Sequence, residues 1–133
     1  MATEDKAVAT LRKLSEVKPT YAVDPDRVMR TFETGATRDG DADKIDYAGF
    51  ISPFALRRFG EYMKKHQKQA DGKMRASDNW KKGIPIESYV KSMTRHLVDF
   101  LAEYESGDMA AADELAAAIW FNVQGYLHER NKP

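Results

Sequence analysis

The stretch DNWKKGIPIESYVKSMTRHLVDFLAE, Asp78 to Glu103, decides the fold, because a polar loop runs there straight into an amphipathic helix. After Pro85 the apolar residues Tyr89, Val90, Met93, Leu97, Phe100, Leu101 and Tyr104 recur at spacings of three and four, which places them on one stripe of a helix. His96, Asp99 and Glu103 follow at i, i+3 and i+7 and line a second stripe bordering the apolar one. Ahead of the helix, Asn79, Trp80, Lys81 and Lys82 precede Gly83. They bring an amide, an indole and two ammonium groups to a helix N-terminus, where free N–H groups favour anions. The combination predicts a small anionic ligand site.

Downstream, Gly107 stands where a glycine ends a helix, and Asp108 is placed to cap the next one. Leu115, Ala118, Ile119, Val123, Tyr126 and Leu127 give that last segment a single apolar face. The short connection predicts an antiparallel pair formed by residues 86–105 and 109–129, with the alanine-rich run AAADELAAA allowing close approach. Asn122 falls on the apolar face. A buried amide must find partners, so it either bonds across the helix interface or reaches into a site alongside His96 and Asp99.

Upstream, Ser52 and Pro53 read as a helix start. Phe54, Leu56, Phe59, Tyr62 and Met63 carry that helix to about His66, and Gly60 within it suggests a close helix crossing. The run KHQKQADGKMR reads as a solvated connector. Residues 35–50 read as a long polar loop with a short extended piece at Lys44 to Tyr47. Asp24 and Pro25 predict a short helix carrying Val28, Met29 and Phe32 and closed by Gly35; Lys6 to Val17 predicts a helical arm. No segment alternates convincingly, so the expected class is all-α: about four helices around an antiparallel pair, with long polar loops. The expected organisation is an N-terminal helical arm, 1–34, and a nucleotide-handling domain, 35–133.

The 133 residues fit one principal core, and 32% charged against 42% hydrophobic residues is the balance of a globular chain. Lys+Arg and Asp+Glu both number 21, which argues against direct nucleic-acid binding driven by phosphate neutralisation. With no cysteine, disulfides and thiolate chemistry are excluded and a cytoplasmic setting is expected. No signal-peptide or membrane-spanning pattern is visible, so no membrane partner is expected.

The chain has no P-loop, GxGxxG, HExxH or GxSxG. In their place stand His96, Asp99, Glu103 and Glu105 on one helix and Asp113, Glu114 and Asn122 on the next. Across a short turn these carboxylates form the oxygen donor set that suits Mg²⁺ or Mn²⁺. Glu105 and Asp113 read more readily as helix-end charges, Asp99 and Glu114 equally so, and His96 more readily as a satisfied half-buried histidine. Arg38, Lys44, Arg75, Lys82 and Arg95 are the candidate phosphate binders. Trp80 and Tyr47, aromatic residues in polar loops, are candidates to stack on a base or to cap the core.

Six segments taken together resemble a family common in phages, the N-terminal domain of dATP/dGTP diphosphohydrolases. They are GATRD (Gly35–Asp39), KIDY (Lys44–Tyr47), FISPFALRRFGEYM (Phe50–Met63), SDNWKKGIP (Ser77–Pro85), RHLVDF (Arg95–Phe100) and FNVQGYLHE (Phe121–Glu129). The resemblance implies cleavage of a purine deoxynucleoside triphosphate to monophosphate and pyrophosphate, with Mg²⁺, in phage nucleotide metabolism within the host cytoplasm. The motif positions fall on Arg38, Lys44, Asp46, Asn79, Trp80, Lys82, Gly83, Arg95, His96 and Asn122. In that reading Asp99, Glu103 and Glu114 hold the metal, His96 is ligand or base, and Arg38, Lys44, Lys82 and Arg95 hold phosphates. The chain departs from the related MazG-type enzymes: where those carry ExxE and ExxD it has His96 with Asp99, and Glu114 followed by Ala117. A nucleotide-binding or sequestering protein without turnover fits that departure, and an interaction protein is a third reading. Small helical pairs with exposed apolar faces commonly dimerise, and a site shared across a homo-oligomer would supply missing ligands.

Overall fold

The computed structural model describes residues 28–133, so the expected arm at Lys6 to Val17 and the cap at Asp24 and Pro25 lie outside the described residues. The chain divides into two compact units, one running to Ile51 and the other spanning Ser52–Lys132.

In the first unit, residues expected to continue a helix through Val28, Met29 and Phe32 instead form strand β1, Met29–Thr31, paired antiparallel with β2, Thr37–Asp39. The expectation of an all-α chain is corrected here to a mainly α chain with a small two-stranded sheet. The physical reason is the turn. The Phe32 N–H donates to the Ala36 carbonyl at 2.8 Å, the Gly35 N–H donates to the Phe32 carbonyl at 2.8 Å, and Gly35 sits at φ 86°. That pattern is a tight hairpin with glycine in the left-handed position, and it overrides three apolar residues at helical spacing. The extended piece expected at Lys44 to Tyr47 is not a strand. Tyr47 opens a single helical turn, α1, Tyr47–Phe50, whose Gly49 N–H donates to the Asp46 carboxylate at 2.9 Å.

The second unit holds α2, Pro53–Lys65; a 3₁₀ turn, Asn79–Lys82; α3, Ile86–Ser106; and α4, Met109–Asn131. The caps are those expected. Ser52 Oγ accepts from the Ala55 N–H, the Asp108 carboxylate accepts from the Ala111 N–H, and Gly107 ends α3 at φ 85°. Helices α3 and α4, joined by two residues, pack on each other, and α2 packs on α4.

The core is narrow: Phe59, Tyr89, Ala112, Ala117 and Ala118, with Asn122 as its buried polar member. Tyr89, near the start of α3, is only 1% exposed, and burial of a ring of that size contributes on the order of 2–3 kcal/mol. It lies directly over Gly125 of α4. A Cβ added there would stand 2.2 Å from two ring carbons of Tyr89. The close crossing expected at Gly60 is therefore at Gly125, since a Cβ at Gly60 would meet nothing within 4 Å. On the other side of α4, Phe59 of α2 stacks on Trp120 at 4.9 Å between centroids and 12° between planes.

The two glycines make opposite predictions. Gly125→Ala is expected to lower unfolding stability by about 2 kcal/mol or more, because the methyl must displace the Tyr89 ring. Gly60→Ala is expected to raise it by about 0.5–1 kcal/mol through helix propensity alone. Urea denaturation of both variants checks this, and a Gly125→Ala variant as stable as the parent would contradict the packing.

Candidate functional site

Lys65 ends α2, and the chain returns through a segment that the sequence presents as a bare connector but that is closed by its own hydrogen bonds. The Gln69 N–H donates to the Lys73 carbonyl at 2.8 Å, the Gly72 N–H to the Gln69 carbonyl at 3.0 Å, and the Arg75 N–H to the Gln67 carbonyl at 2.8 Å. With Gly72 at φ 83° this repeats the turn chemistry of the first unit's hairpin. The turn holds Gln67 and Arg75 side by side, and the Gln67 amide donates to the Arg75 carbonyl at 3.4 Å.

Between this turn, the C-terminal half of α2 and the 3₁₀ turn lies a cleft of about 500 Å³. Tyr62 and Met63 of α2, Trp80, Ile84 and Phe121 of α4 give it an apolar lining; Lys64, His66, Gln67, Arg75, Ser77 and Asn79 supply its polar atoms. The volume is within the range of small-molecule and cofactor sites. Trp80 is fixed edge-on by two residues of α4, Phe121 at 6.4 Å and His128 at 4.8 Å between centroids, and Lys81 Nζ stands 5.7 Å from its ring. Tyr62 packs on His66 at 4.3 Å. Burial raises the Tyr62 hydroxyl above the ordinary phenol value, with the Glu114 charge adding to it, so Tyr62 is a neutral wall. Neither Arg75 nor Lys64 is paired with a carboxylate among the described residues.

Of the residues singled out from sequence, Asn79 and Trp80 line this cleft, as does Arg75 among the candidate phosphate binders. Lys82 is exposed at the end of the 3₁₀ turn. Arg95 is exposed on α3 and donates to Ser92 Oγ at 3.0 Å. Arg38, on β2, and Lys44 belong to the first unit. Asn122 is buried at 5% exposure and donates to the Ala118 carbonyl at 2.8 Å, one turn back along its own helix.

His96 is half-buried with Nδ1 unpartnered, Asp99 is exposed, and Glu103 accepts from Ser106 Oγ at 3.4 Å. Glu114 lies between two cations: Arg58 Nη2 donates to one oxygen at 2.7 Å and Lys65 Nζ to the other at 3.3 Å. The Arg58 hydrogen bond, with Lys65 adding to it, holds the Glu114 carboxyl below the ordinary carboxylate value. A cation ligand would have to displace both. Among the described residues no three His, Asp or Glu side chains come together as a metal-holding group.

Sequence reading missed Tyr62, Gln67, Ile84 and Phe121 as cleft residues. The Asp71-Gly72 pair, a strong short hairpin signal, was the available sign that the connector turns back and presents a wall. No described helix is long and apolar enough to cross a membrane.

The Glu114 bridges link α2 to α4 and bind fewer protons folded than unfolded. Their contribution is therefore complete above the unfolded carboxylate's ordinary value and is lost as pH falls through the lower folded one. Glu114→Gln is expected to melt below the parent at neutral pH, with the gap closing in strong acid. Thermal melts across that range check it, and a gap that persists unchanged at low pH would contradict the assignment.

The chain matches no protein-family model, no curated protein and no solved structure, so the resemblance rests on the quoted motifs alone.

Proposed function

We propose that the second unit is a nucleotide-binding module whose antiparallel helix pair, α3 and α4, supports a cleft for a base with its phosphates at the basic rim. The observation that carries this reading is the pairing of a fixed indole, Trp80, with two cations, Lys64 and Arg75, that no described carboxylate pairs, around one cavity. A purine ring finds apolar and aromatic surface at Tyr62, Met63 and Trp80, and the amides of Asn79 and Gln67 are donors and acceptors for its polar edge. The phosphate chain meets Arg75, which can hold two of its oxygens at once, and Lys64. A purine deoxynucleoside triphosphate is the class that the motif resemblance adds.

Binding without turnover is favoured over hydrolysis because Glu114 is committed to Arg58 and Lys65. Metal-dependent release of pyrophosphate, the second reading, is carried by the motif resemblance and would make use of Asp99 and Glu103.

Calorimetry with dATP and dGTP, with and without chelator, tests the proposal. Binding is expected to survive chelation with the nucleotide recovered intact. Arg75→Ala is expected to weaken it about tenfold, the size of one charge-assisted phosphate contact. Affinity unchanged by Arg75→Ala would remove the cleft as the site, and pyrophosphate released only with Mg²⁺ or Mn²⁺ would establish the hydrolytic reading instead.

A further inference from the structure

The apolar stripe of α3 is divided. Tyr89 is buried against Gly125 and Phe121 of α4, and Met93, His96 and Phe100 are half-buried, whereas Val90, Leu97, Leu101 and Tyr104 are between 45% and 59% exposed. The exposed four follow one another at spacings of seven, four and three, and Thr94 fills the remaining position. Thr94 donates its hydroxyl to the Val90 carbonyl at 2.9 Å, so that polar atom is satisfied within the helix and adds no cost to covering the stripe. The result is an alternating three-four seam about 21 Å long with no cover from its own unit, the pattern that pairs one helix with another.

Three residues flank this seam in a row spaced by seven: Lys91, Val98 and Glu105. Val98 is 62% exposed and stands midway between a cation and a carboxylate. In a parallel partner copy this flank would face the opposite flank of the other seam, and Lys91 and Glu105 would not meet across it. An antiparallel copy related by a two-fold axis at Val98 sets each Lys91 against the other copy's Glu105 and buries the two Val98 side chains against each other. Glu87, already 3.2 Å from Lys91 on the same helix, leaves that ammonium two carboxylates to face and does not oppose the pairing.

We infer that the seam on α3 is the interface of an antiparallel homodimer, in which two helical hairpins form a four-helix arrangement through Leu97, Val98 and Leu101. The complementary placement of Lys91 and Glu105 selects a second copy of this chain as the occupant and fixes its direction. The inference is independent of what the cleft binds.

Sedimentation equilibrium of the full chain tests it, with Lys91→Glu, Glu105→Lys and the double reversal. The parent is expected to be a dimer at micromolar concentration. Each single reversal is expected to raise the dimer dissociation constant about tenfold through like-charge contacts, and the double reversal to restore it to within about threefold. Val98→Asp is expected to give monomers with unchanged helical circular dichroism. A monomeric parent, single reversals without effect, or a double reversal no better than either single one would each overturn the inference.

Discussion

The absence of a side chain at Gly125 is the constraint on which the second unit depends. Tyr89 is the largest fully buried side chain described, and its ring occupies the space that a methyl at position 125 would need. That contact sets how closely α3 lies on α4. It also brings Tyr89 edge-on to Phe121 at 5.9 Å, and Phe121 in turn meets Trp80, so the chain of rings runs from the helix crossing into the floor of the cleft. Packing and site are thus one structure: the crossing fixes Phe121, Phe121 and His128 fix Trp80, and Trp80 forms a wall of the cavity.

Charge is distributed as unevenly as packing. The chain as a whole is neutral, yet the segment from Lys64 to Lys82 carries seven Lys and Arg against Asp71 and Asp78 alone. Most of the residues that line the cleft belong to that segment or to the turn of α2 before it. The contrast with Glu114 is instructive. Lys65, from the same basic run, joins Arg58 on a carboxylate that links two helices, whereas Lys64 and Arg75 line the cleft without an ion pair among the described residues.

The helices of the second unit were legible because their ends are written in local chemistry. Ser52-Pro53, Gly107 and Asp108 act through hydrogen bonds and backbone angles within a few residues, and each is found where expected. Asn79 and Trp80 could be picked out for the same reason, as aromatic and amide groups in a polar loop. What was hidden is non-local or rests on one turn. The choice between Gly60 and Gly125 depends on which helix face meets a tyrosine thirty-six positions away, and no periodicity contains that information. The strands at Met29–Thr31 and Thr37–Asp39 exist because Gly35 closes a hairpin, while the apolar spacing of the same residues suits a helix equally well. The stripe of α3 was read as a single core face, and only the position of α4 reveals that half of it is uncovered.

The proposed function puts ligand chemistry in the cleft and not on the acidic stripe of α3. Nuclear magnetic resonance of the isotopically labelled chain, titrated with dATP in chelator, separates the two by location. The indole N–H of Trp80 and the backbone amides of Gln67, Arg75 and Phe121 are expected to shift together, while those of His96, Asp99 and Glu103 stay in place. Shifts confined to His96, Asp99 and Glu103, with the Trp80 indole unmoved, would contradict it.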